Sequence, residues 1–143
     1  MKKILLILLS IVTLSGCNAN SSLSFAEVSQ ESISKDIQLF FQGVKEENGV
    51  HLYLDKKNNA VFVYFNGSNV IQDEKAVYFT SFDIESENDT LNLLYKSEET
   101  SDYSNSSLEH ELFYKVNLDK YYEEVKLLNN GNETSFGTIS GNN

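Results

Sequence analysis

Two adjoining stretches, Val50-His-Leu-Tyr-Leu54 and Ala60-Val-Phe-Val-Tyr-Phe65, decide how the fold reads. The first alternates with the period of two that marks a half-buried strand, whereas the second is apolar at every position. A run apolar on both sides has no face left for water, so it reads as a central strand covered by another layer. Asp55-Lys-Lys-Asn-Asn59 between the two is a turn, and Asn66-Gly67 ends the second strand.

The cover lies upstream. Ile33, Ile37, Phe40, Phe41 and Val44 recur at helical spacing, so residues 32–48 read as one amphipathic helix. Ser32 or Ser34 can cap its start, Asp36 suits the first turn, and Gly49 can close its end in the left-handed region. Gly43 weakens it by up to about 1 kcal/mol.

Downstream the period stays at two. Val77, Tyr78, Phe79, Phe82 and Ile84 do not keep phase, which places a bulge near Ser81. Glu87-Asn-Asp89 is a turn, residues 90–96 its return strand, and residues 97–107 a polar loop expected to be mobile. Leu108, His110, Leu112, Tyr114 and Val116 share one face of the next strand. Residues 121–128 and 133–139 flank Asn130-Gly131, the strongest hairpin signal in the chain, and the tail 140–143 is expected to fray. The fold class expected is α+β: one N-terminal amphipathic helix packed on a mostly antiparallel sheet of about seven strands, as a meander or partly closed barrel.

Before the helix the chain has another character. Lys2 and Lys3 precede an apolar core over residues 4–14, then Ser15-Gly16-Cys17, the pattern of a secretory signal peptide. A helix of that core rises only about 16 Å against a hydrocarbon layer of about 30 Å, too short to span it. Leu14-Ser15-Gly16-Cys17 resembles the lipobox of bacterial lipoproteins. The resemblance implies cleavage between Gly16 and Cys17, a diacylglyceryl group on the Cys17 thiol, and a chain anchored at the extracytoplasmic face of the membrane. Residues 1–16 are then the signal peptide, 17–31 a lipidated cysteine and flexible Ser/Asn-rich tether, and 32–143 a single domain. Cys17 is the only cysteine, so no disulfide can form within the chain.

Charge excludes one class of partner. The chain carries −10 and no arginine, and loss of Lys2 and Lys3 takes the mature part to about −12. A surface so acidic is unsuited to nucleic acid, which needs clustered cations, and is repelled by anionic headgroups. The lipid therefore has to supply the membrane hold.

Chemistry-bearing motifs are sparse. His51 and His110 stand about sixty residues apart with no second histidine or cysteine at ligand spacing, so no metal is expected. Glu109 and Glu111 point away from His110 if that segment is a strand. Glu98, Glu99 and Asp102 fall on the polar loop, and no nucleophile or phosphate-cradling motif occurs, so no catalytic residue or cofactor is assigned. Tyr53, Tyr64, Tyr78, Tyr95 and Tyr114 fall on neighbouring strands; sharing a face with His110, they would line an aromatic site for a ligand.

Residues 47–58 (ENGVHLYLDKKN), Val63-Tyr-Phe-Asn-Gly67, Asp102-Tyr-Ser-Asn105, Val116-Asn-Leu-Asp-Lys120 and Asn130-Gly-Asn-Glu133 resemble a group of small lipoproteins of Gram-positive spore-forming bacilli. Some members carry a peptidyl-prolyl cis-trans isomerase label, an activity that an apolar aromatic groove could serve by stabilising the twisted imide. Three expectations follow: a non-catalytic binding domain in the cell envelope with an envelope protein or exported polypeptide as partner, an isomerase-like foldase for exported proteins, or a structural or regulatory envelope protein without a ligand.

Overall fold

The computed structural model describes residues 22–143. The signal peptide, the cleavage point at Gly16 and the lipidation site at Cys17 lie outside the described residues.

β3 (Ala60–Asn66) is buried along its whole length and sits at the centre of a five-stranded sheet. Its antiparallel neighbours are β2 (Gly49–Asp55) and β6 (Glu111–Asn117), with β1 (Ser24–Glu27) outside β6 and β9 (Ile139–Gly141) outside β2. A second, four-stranded sheet has the order β4 (Ala76–Glu87), β5 (Thr90–Thr100), β7 (Glu124–Asn129), β8 (Asn132–Thr134).

Alternation along β3 sends its side chains into two different cores. Val61, Val63 and Phe65 meet Leu91, Leu93 and Leu127 of the second sheet, while Ala60, Phe62 and Tyr64 lie beneath α1 (Lys35–Gly43). The layers are thus helix, sheet, sheet. Ile37, Phe41 and Val44 cover the first sheet, with Phe41 in edge contact with Tyr64 and Phe113 at 5.6 and 4.6 Å between ring centres.

The expected α+β class is corrected: among the described residues the protein is mostly β, with one short α-helix and two sheets that do not close into a barrel. The helix has nine residues because residues 30–32 form a separate 3-10 turn and Ile33 is extended. At its other end, Val44 and Lys45 bond back three residues, to Phe41 and Gln42. Continuing would set Glu46 and Glu47 at the negative end of the helix dipole, just past the weak residue Gly43. Gly49, at φ 127°, opens β2 instead of capping the helix.

Most strand pairs are antiparallel, but the expected meander is corrected, since β2 pairs with β9, and β5 with β7, in parallel. Parallel neighbours need a long crossover, and β6, lying in the other sheet, supplies the one between β5 and β7. Of the tail expected to fray, Ser140 and Gly141 belong to β9. Asn142 fastens it: its amide donates to Asp55 Oδ1 at 2.8 Å and its carbonyl oxygen accepts from the Lys56 N–H at 2.8 Å. At Gly141 a β-carbon would stand 2.8 Å from the Leu54 carbonyl oxygen, so only glycine lets β9 lie this close. Ser24–Glu27, expected within the tether, pair with β6, and Phe25 packs on Phe82 at 5.1 Å.

Local signals that chain chemistry dictates are present. The β4/β5 register shifts between Phe79 and Ser81, and the extra residue turns both Phe79 and Phe82 inward. Asn130 and Gly131, at φ 52° and 87°, make the two-residue β7–β8 turn. The polar segment 97–107 begins inside β5, which runs to Thr100. Beyond it, Asp102 and Asn105 side chains accept hydrogen bonds from Ser104 and Ser107 two residues on.

Because Phe41 is almost wholly buried beneath the helix, Phe41→Ala is expected to cost about 3–5 kcal/mol. Urea unfolding followed by circular dichroism measures the loss.

Candidate functional site

The two sheets enclose unequal side chains along their length. At one end Phe65, Phe79, Phe82, Tyr95 and Tyr114 form a connected cluster of rings, with Phe82 stacked on Tyr114 at 4.4 Å. Toward the other end the facing residues are aliphatic: Leu52, Leu54 and Val61 from the first sheet, Leu91 and Val125 from the second. Smaller side chains between sheets of fixed spacing leave a gap. The result is a cleft of about 460 Å³, within the range of small-molecule sites.

The segment from β6 to β7 forms its side. Tyr122 is buried there, its hydroxyl donating to Asp119 Oδ1 at 2.7 Å and lying 3.0 Å from Ser86 Oγ. Lys120 donates to the Asn88 carbonyl at 2.6 Å, with its ammonium 5.2 Å from the Tyr122 ring centre. Tyr121 then has to face outward and is 79% exposed at the mouth. β9 supplies the opposite wall, where Ile139 is 55% exposed. The clamp of Asp55, Asn58 and Asn142 holds that wall against the β2 end.

None of the five sequence-predicted tyrosines lines this cleft, and the structure does not bring them onto one face. Tyr53 packs on Phe40 beneath the helix, 5.5 Å between centres. Tyr64, also on that side, donates its hydroxyl to Glu111. Tyr95 and Tyr114 lie between the sheets, and Tyr78 bonds Glu98 on the surface at 2.6 Å. His110 precedes β6 and donates from Nδ1 to the Val77 carbonyl at 2.7 Å, a turn contact between β4 and β6. Among the described residues no group of three histidines, cysteines or carboxylates is placed to hold a metal.

Sequence reading missed Tyr121, Tyr122, Leu54, Val125 and Ile139. One signal was available in the Tyr121-Tyr122 doublet. Adjacent aromatics in extended chain point opposite ways, so unless both faces are covered, as at Tyr64-Phe65, one of the pair is exposed.

All five predicted tyrosines, and Tyr122, have pKa values above the ordinary tyrosine value. Burial is the chief cause for Tyr53, Tyr64, Tyr95, Tyr114 and Tyr122, with the Glu111 carboxylate raising Tyr64 further. For Tyr78 the chief cause is its bond to Glu98.

Residues 1–18 match the model of a prokaryotic membrane lipoprotein lipid attachment site. The chain is thus a membrane-anchored lipoprotein. No curated protein and no solved structure matches it. Among the described residues no helix is long and apolar enough to cross a membrane.

Two outcomes follow from this geometry. Asn142→Ala removes a partner of the buried Asp55 carboxylate and frees β9; amide exchange over residues 139–141 is expected to speed up, with stability falling by about 1–3 kcal/mol. The raised tyrosines favour the neutral form when folded, so their contribution is complete below the unfolded value of about 10 and is lost as pH climbs through the folded values. Stability should therefore decline above about pH 10, and less steeply in Tyr64→Phe, as chemical denaturation across pH 8–12 would show.

Proposed function

We propose that this lipoprotein is a non-catalytic binding domain displayed on the extracytoplasmic face of the membrane, and that the cleft between its sheets is the binding site. The observation that carries this reading is the cleft's composition. It combines an aliphatic floor, a mouth bearing an outward-facing tyrosine and isoleucine, and a few polar groups at the rim. Such a site takes an apolar, flexible ligand through removal of surface from water, with little geometric selectivity. The lipid attachment site supports the address, since an acidic domain has no electrostatic hold of its own on anionic lipid.

An isomerase for exported chains would need an aromatic groove to stabilise the twisted imide. The tyrosines offered for that groove are distributed over both sides of the first sheet and the surface, so geometry favours binding over that alternative.

The test is titration with cis-parinaric acid, a fluorescent fatty acid. Saturable binding at one site per chain is expected, weakened at least tenfold in Ile139→Asp, whose exposed position leaves the fold intact by circular dichroism. Absence of saturable binding by the delipidated protein would remove this reading.

A further inference from the structure

The cleft and the point where the chain enters the domain lie at the same end of the sandwich. Ser24, the first residue of β1, pairs with Asn117, and Asn117 pairs with Ala60. Ala60 in turn pairs with Asp55, and both border the cleft. β1 is two strands from β3, about 10 Å at the usual strand spacing.

Seven peptide links separate Ser24 from Cys17, a reach of at most about 24 Å. Leu23 and Phe25 pack against the core between the sheets, so the entry point is fixed in place. Whatever Cys17 carries is therefore confined within reach of the mouth, at the millimolar effective concentration of a short tether.

We infer that the cleft seats an acyl chain of the lipid on Cys17 itself. This deepens the binding reading above and rests on it. The ligand class is a long saturated or monounsaturated hydrocarbon chain, supplied in cis. Both bilayer and cleft keep such a chain from water, so the exchange between them is nearly balanced in apolar burial. Tethering and the removal of water from an otherwise open apolar cleft tip that balance.

Tyr121 and Ile139, the exposed groups at the mouth, then lie where the hydrocarbon passes from lipid to protein, a boundary suited to an amphipathic ring. Anionic headgroups play no part, because Lys56, Lys57 and Lys120 at this end are outnumbered by Glu87, Asp89, Asp119, Glu123 and Glu124. Seating has a consequence for anchoring. A diacylglyceryl group has two chains, and one left alone in the bilayer holds only marginally, so filling the cleft competes with membrane attachment.

The experiment uses the mature lipidated protein, methyl-labelled, in nanodiscs made from chain-deuterated lipid, so that its own acyl chains are the only protonated lipid chains. Nuclear Overhauser contacts are expected from acyl methylenes to the methyl groups of Leu54, Val61, Val125 and Ile139, and are expected to vanish in Ile139→Asp. Contacts seen only when the bilayer lipid is protonated would overturn this inference, naming a bilayer lipid as occupant while leaving the binding reading intact. No contacts with either lipid, while cis-parinaric acid still binds the delipidated protein, would also overturn it. No contacts together with no probe binding would remove both.

Discussion

A strand with no solvent face imposes the architecture. Every side chain of β3 is buried, so two layers must meet it, and neither β2 nor β6 can supply them because both lie in its own plane. The second sheet covers Val61, Val63 and Phe65, and α1 covers Phe62 and Tyr64. A one-residue slip of β3 would exchange these sets, forcing Tyr64 between the sheets and Phe65 under the helix. The ring packing about Phe41 on one side and Phe65 on the other resists that exchange. Register and layering are thus fixed together.

Much of this was legible because it is local. The double-sided burial of β3, the bulge after Phe79 and the Asn130-Gly131 turn each leave a mark within a few residues of sequence. What escaped was long-range. The parallel pairings of β2 with β9 and β5 with β7 join segments that carry no sign of their partners, and Ile139–Gly141 is too short for periodicity to show. β9 is held instead by Asn142 reaching Asp55, a bond between residues 87 apart in the chain. β1 was hidden for a related reason. Phe25 is its inward-facing anchor, and a single aromatic in a polar stretch does not announce a strand.

The candidate site was least legible, since clefts come from what two surfaces fail to fill. The tyrosines were counted correctly as strand residues, but strand parity and sheet membership sorted them to different places. Tyr53 and Tyr64 share a side of the first sheet with His51, whose Nε2 donates to the Glu47 carbonyl at 2.9 Å. Tyr95 and Tyr114 help fill the sandwich at its aromatic end. That filling leaves the aliphatic end open, because the gap is set by the sheets and not by the side chains nearest to it.

The open end also differs in how firmly it is closed. The aromatic end is bounded by long strands: β4 and β5 run twelve and eleven residues. At the aliphatic end one wall is the three-residue β9, and the other is the irregular segment carrying Tyr121 and Tyr122. Short elements with few buried contacts open at lower free energy than the core they flank. A cleft whose mouth is set by such elements can widen there for a chain-like ligand while Val61 of β3 and Leu91 of the second sheet hold the floor. Adaptability at the mouth and rigidity at the floor are therefore separate properties, set by β9 and the Tyr121–Tyr122 segment on one hand and by β3 on the other.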